Sequence, residues 1–348
     1  MPSLIDWSVA ERTARSLAPA PPSITPADAD AAVAELRRAT DRAAGHVFDL
    51  TRLVEPDVTA ATLIVDRPGW IAANTVSMST VMDPLTDKLT ALKPPGKIAT
   101  AVGSRATGLQ AGALLAFLSG KVLGQYEFFS VDKGQLLLVA PNIVAVERSL
   151  KVDPTDFRLW VCLHEVTHRV QFTAVPWLRQ HMLDEIGELT DAIDVDPDAL
   201  RERLKSVLGE LVKAIRGGGD SSGVLAALAS PAAREVMDRV TGFMSLVEGH
   251  AEYVMNAVPA SVIPSQQAIE KRFAIRRRRG GNPLDRLLRT LLGMDAKTRQ
   301  YTQGSRFVRD VISQVGLDSF NVVWTSKQTL PTKAEITAPA TWVRRVHG

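Results

Sequence analysis

Apolar positions along this chain fall mostly three and four residues apart, the spacing of one helical face, and run together as strands in only two short places. Residues 5–17 keep the helical spacing until the proline-rich "APAPPSITP" stops it. A longer helix is expected from "TPADADAAVAELRRATDRAAGHVFDL", with Thr25 as its cap and Pro26 at the first helical position. His46 lies on that helix, in a packing or surface position. The β-branched run "ATLIVD" breaks at Pro68-Gly69, and a helix resumes near residues 70–77. Residues 100–124 read as a helix loosened by Gly103, Gly108, Gly112 and Gly120. The clearest strand is in "GQLLLVAPNIVAVE" at 134–147, an apolar run bounded by Gly134 and Pro141. "TDFRLWVCLHEVTHRVQF" is helical again, started by Pro154-Thr155-Asp156. Further helices are expected at 178–190, 198–215, 231–257, 284–293 and 296–315, with a Gly-Ser loop at 216–223 and a mostly irregular tail. The pattern predicts a mainly α protein of the α+β class, with an N-terminal helical region over 1–125 and a second region over 126–348.

Composition narrows the class without naming a function. A chain of 348 residues, 45% hydrophobic and 23% charged, buries a real core and is not disordered. Its net charge of +3 is too small to argue for nucleic acid. The run Arg276-Arg277-Arg278-Arg279, followed by two glycines, reads as a solvated helix end where cations meet the negative pole of the helix dipole. The most apolar stretch, "AGALLAFLSG", is too short to span a bilayer, so no membrane partner is expected. One cysteine, Cys162, allows no intrachain disulfide, and the N-terminus lacks the pattern of a signal peptide. The simplest expectation is a cytoplasmic protein.

Chemistry enters with "VCLHEVTHRVQF" at 161–172. On a helix, residues four apart share a face, so His164 and His168 can aim both imidazoles at one ion. Glu165 is rotated about 100° from the first histidine. It can reach a water on the ion without binding the ion itself, which is the position of a general base. Leu163, Val166, Val170 and Phe172 surround this polar triplet with apolar residues, as a buried metal-facing helix requires. A catalytic zinc needs three protein ligands and one open position. The other segment dense in ligand types is "SLVEGHAEYVMN" at 245–256. Glu248 and Glu252 share one helical face there and His250 lies on another. One carboxylate suffices as a ligand, and the other could orient a histidine.

"HEVTH" followed by "EGHAEY" resembles the glutamate-type zincin metallopeptidases, in which an Glu-Gly-x-Ala-x-Tyr helix supplies the third ligand through its first glutamate. The resemblance implies Glu248 as that ligand and zinc as the metal. The 80-residue gap between His168 and Glu248 is longer than in the better-known members. Nearly the whole chain is similar to an actinobacterial zincin-like family, through "LIDWSVAERTARSL", "VDRPGWIAAN", "VLGQYEFF", "LLLVAPNI", "HEVTHRVQF", "EGHAEYVM" and "RQYTQGSRFV". Its members are described as zinc-dependent metalloproteases or hydrolases, and one branch is named for association with coenzyme F420 biosynthesis. The opening "LIDWSVAERTA" looks most like that branch. The resemblance implies a zincin-like core with a small sheet beside the metal helix.

A donor beside the metal stabilises the oxyanion of peptide hydrolysis. Tyr301, in "KTRQYTQGSRF", is the choice here, because its setting is polar and Gly304 permits close backbone approach. Tyr253 is expected to pack beside the ligand helix, and His181 to lie at the surface. His250 either donates to substrate or fills the edge of the site. "LLLVAPNI" is expected as an edge strand to which an extended peptide adds, with Asn142 near the substrate or simply ending the strand. Together these readings give a zinc-dependent hydrolase acting on a peptide or protein. The alternative is a metal-stabilised binding or scaffold protein without turnover.

Overall fold

Asp6 opens the first helix, α1 (Trp7–Leu17), by accepting a 3.0 Å hydrogen bond from the Val9 amide. Thr25 does the same for α2 (Pro26–Thr51), accepting from the Asp28 amide at 3.1 Å, with Pro26 at the first helical position as expected. The computed structural model describes residues 4–56, 60–92, 97–131, 133–192, 230–279 and 294–348. The chain divides into two units, Met1–Ala174 with Ala257–Phe273, and Val175–Asn256 with Ala274–Gly348.

In the first unit α2 is followed by β1 (Ala61–Val65), α3 (Arg67–Leu92), α4 (Lys97–Ser119), β2 (Gly124–Glu127), β3 (Gln135–Val139), α5 (Ala140–Leu150) and α6 (Pro154–Ala174). The three strands form one sheet in the order β1-β3-β2, with β1 parallel and β2 antiparallel to β3. Leu136 to Val139 are fully buried, and Leu137 and Val139 pack with Ala14, Trp70, Ile71, Leu115 and Ala116 into a core. A strand buried on both faces reads as a continuous apolar run, which is why β3 was the clearest strand in the sequence. Its position differs from expectation. The strand stops at Val139, Pro141 falls in the first turn of α5, and β3 is the central strand rather than an edge. Two of the glycines of α4, Gly108 and Gly112, are contacts rather than defects, whereas Gly103 faces open space. A Cβ at Gly108 or Gly112 would lie 2.5 Å from the carbonyl oxygen of Asp6 or Ala10 on α1.

In the second unit α7 (Trp177–Ala192), α8 (Pro231–Ala257) and α10 (Met294–Val315) are the long helices; α9 (Gln266–Arg279) has its residues up to Phe273 in the first unit. The tail is not irregular. It folds as α11 (Leu317–Phe320), two short 3₁₀ turns, α12 (Lys333–Thr337) and α13 (Pro339–His347). A reciprocal cap between Thr332 and Glu335 starts α12, and Pro339 starts α13. Trp342 is fully buried and donates to the Thr329 carbonyl at 2.8 Å. The helices expected at 198–215 and 284–293 and the Gly-Ser loop lie outside the described residues. Among the described residues the protein is mainly helical with a small three-stranded sheet, the α+β class expected. No described helix is long and apolar enough to cross a membrane.

Candidate metal centre

From Leu159 to Phe172, α6 is buried at every position except His164 and His168, which are half-buried. The rings stand edge-on at 85°, and their Nε2 atoms are 3.2 Å apart. His168 Nδ1 lies 3.0 Å from Gln171 Oε1. With an amide oxygen accepting there, the proton sits on Nδ1 and the lone pair of Nε2 faces His164. Gln171 is a partner of His168 that the sequence reading missed, although its place three residues after His168 was the signal.

Glu165 is 7% exposed and lies against β2, in line with Gly124. The opposite face of α6 is fixed in two ways. Cys162 Sγ packs 3.7 Å from Thr40 Oγ1 on α2, and burial pushes its thiol up to about 12. The cysteine thus faces α2 and is inert packing. Arg169 forks onto Glu55 with two bonds of 2.9 Å and reaches Thr62 Oγ1 at 3.1 Å, tying α6 to β1 and to the segment before it.

In the second unit, Glu248 is buried on α8, with Glu252 half-buried one turn later. His250 is fully buried, with the rings of Phe320 and Trp324 at 5.7 and 5.2 Å. The backbone of α10 lies directly on α8. A Cβ at Gly249 would be 2.5 Å from Ser305 N and nearer still to the Gly304 carbonyl carbon. The close approach expected at Gly304 is therefore real, and its partner is the glycine next to Glu248. Tyr301 is on α10, one turn before Gly304, and its side chain lies outside the described residues. His181 is not at the surface: its side chain is 12% exposed and sits between Trp177 and Phe243, with ring centroids at 5.9 and 5.6 Å. Burial lowers its pKa.

Asn142 does not reach towards substrate. It is buried within α5, donates to the carbonyls of Ser119 and Val122 at 2.7 and 2.6 Å, and accepts from Arg67 at 2.8 Å. It fastens the end of α4 to the start of α5. The four arginines end α9, with Arg276 exposed and the side chains of the other three outside the described residues.

Residues 5–343 match the model of the zincin-like metallopeptidases. The chain belongs to that family. It is also similar to a crystal structure from Chloroflexus aurantiacus, described as a proposed hydrolase with a novel fold, at 29% identity and a TM-score of 0.71 over 98% of each chain. No curated protein matches the chain. Family and neighbour together support a hydrolase, and the family implies a metal, typically zinc.

The histidine pair fits that ion. Two nitrogen ligands at about 2.0–2.1 Å from a tetrahedral zinc stand about 3.3 Å apart, and the observed Nε2 separation is 3.2 Å. The bond from His168 Nδ1 to Gln171 supplies the outer partner that metal-binding histidines use to fix their tautomer.

Proposed function

We propose that the protein is a zinc-dependent hydrolase, a metallopeptidase cleaving a peptide or related amide bond in a peptide or protein substrate. His164, His168 and Glu248 hold the zinc, and Glu165 is the general base. The observation that carries the reading is the pair of half-buried imidazoles with adjacent Nε2 atoms on an otherwise buried helix, beside a buried carboxylate. When bound, zinc supplies Lewis acidity that brings a water's pKa near neutrality. Glu165 accepts that water's proton and returns it to the leaving amine. Because Glu165 is buried, its carboxylate meets little competition from bulk water. Tyr301 donates to the developing oxyanion in this reading. An extended substrate would pair with β2, the edge strand next to α6, rather than with the central β3.

Within the family we place the chain in the actinobacterial branch associated with coenzyme F420 biosynthesis, on the strength of its opening "LIDWSVAERTA". The lack of any disulfide partner for Cys162 supports work in the cytoplasm. The test is metal content with turnover on a mixture of quenched-fluorescent peptides. Wild type should bind one zinc and cleave. Glu165→Gln should keep the zinc and lose at least about 100-fold in rate. Glu248→Ala should lose stoichiometric zinc. Full zinc retention by Glu248→Ala would remove it from the ligand set.

A further inference from the structure

We infer that Gly124 is a positioning residue for Glu165: the missing side chain on β2 is the space in which the carboxylate of the general base lies. The inference rests on the role proposed for Glu165 above. A Cβ built on Gly124 would lie 2.5 Å from Glu165 Cγ, 2.6 Å from Cδ and 2.9 Å from Oε1. All three of its nearest neighbours belong to that one side chain. No other demand calls for glycine here. Among the described residues the glycines with positive φ are Gly134 and Gly316, so position 124 has backbone that any residue adopts. Glycine inside a strand weakens it, packing nothing and losing more entropy on folding.

The strand itself cannot retreat from α6. Gln125, the next residue, accepts from Trp70 Nε1 and donates to Asn74 Oδ1, both at 2.9 Å. Glu127, two further on, is buried and accepts from Ser77 Oγ at 2.9 Å and from the Phe129 and Ser130 amides at 2.7 and 3.0 Å. Between a pinned strand and a flexible glutamate, the glutamate moves. An alanine at 124 therefore swings the Glu165 carboxylate out of its place, while neither His164 nor His168 is among the atoms nearest the added Cβ.

Two measurements on full-length Gly124→Ala test this. With the quenched-fluorescent peptides, its turnover should fall at least about 100-fold, the scale of losing general-base catalysis. Its zinc affinity by chelator competition should stay within about threefold of wild type. The second measurement uses zinc-free protein and needs no substrate. Gly124→Ala should lower the thermal unfolding midpoint in the wild-type background, and leave it unchanged or raise it in a Glu165→Ala background. Wild-type turnover in Gly124→Ala, or an equal midpoint change in both backgrounds, overturns the inference. If wild type cleaves no peptide, the peptidase reading fails, and the midpoint cycle still decides whether Gly124 makes room for Glu165.

Discussion

Replacing Gln171 with leucine should weaken zinc binding without unfolding the protein. Gln171 is completely buried, and its Oε1 takes the Nδ1 proton of His168 across 3.0 Å. Leucine fills similar space but cannot accept. In the metal-free protein the imidazole can change tautomer or turn its ring, so the lost bond costs it little. Once Nε2 is on a cation, the Nδ1 proton is fixed and the ring gains positive character. The missing bond is then a charge-assisted one, about twice as strong as a neutral bond. Its absence leaves a partly buried donor unsatisfied, at about 1–3 kcal/mol. The difference between the two states is about 1.5–2.5 kcal/mol, or roughly tenfold to seventyfold in Kd. This falls in the range of about 10- to 100-fold seen when outer-shell partners are removed from metal sites. Competition against a chromophoric chelator reads the affinity, and circular dichroism checks the fold. Gln171→Glu restores an acceptor and should return affinity to within a few-fold of wild type. A Gln171→Leu protein that is folded and binds zinc within twofold of wild type would refute the argument that His168 is held through its distal nitrogen.

Cys162 should resist alkylation at pH 8 in the folded protein and react once the chain is unfolded. Burial holds its pKa at about 12, against the usual 9.0, so the thiol stays protonated in the fold while the unfolded chain ionises. The contribution to stability is complete below pH 9 and is lost as pH rises towards 12, at about 1.4 kcal/mol per pH unit. Urea titrations between pH 9 and 10.5 should show that slope, reduced in Cys162→Ala. Gly249→Ala would drive a methyl into the backbone of α10. Overpacking of side chains costs about 1–3 kcal/mol, and here the obstacle is main chain, so a loss of at least about 3 kcal/mol in urea denaturation is expected. An unchanged midpoint would contradict the helix contact.

How much of this was legible beforehand depended on whether the signal was local. The metal helix was, because two histidines four apart with an intervening glutamate and apolar flanks determine one face without help from other elements. α2 was equally plain from Thr25 and Pro26. The bound at Pro141 lay close to the true end of β3 at Val139, but α5 behind it was missed because it continues the same apolar run; proline in the first turn of a helix is a start signal. The tail failed in a similar way. Its prolines suggested irregular chain, whereas Thr332 with Glu335 three residues later is a capping pair, and Pro339 begins another helix. Gly124 could not have been found from spacing. Its significance arises from a side chain 41 positions away in the sequence, brought to it by the packing of β2 on α6.

The first unit is discontinuous in sequence, and that bears on how the protein is made. Residues 257–273 return to it, with Ser265 N donating to Asp156 at 2.8 Å, Arg272 to the Leu150 carbonyl at 2.9 Å, and Phe273 set edge-on against Trp160. These contacts cover the start of α6, the helix that carries both histidines. On the ribosome the sheet and the histidine helix emerge early, but the piece that closes over the root of that helix arrives only after the intervening chain has been translated. The nascent protein must therefore carry an unfinished apolar seam at Trp160 through that interval. That seam is where a holding chaperone would be needed.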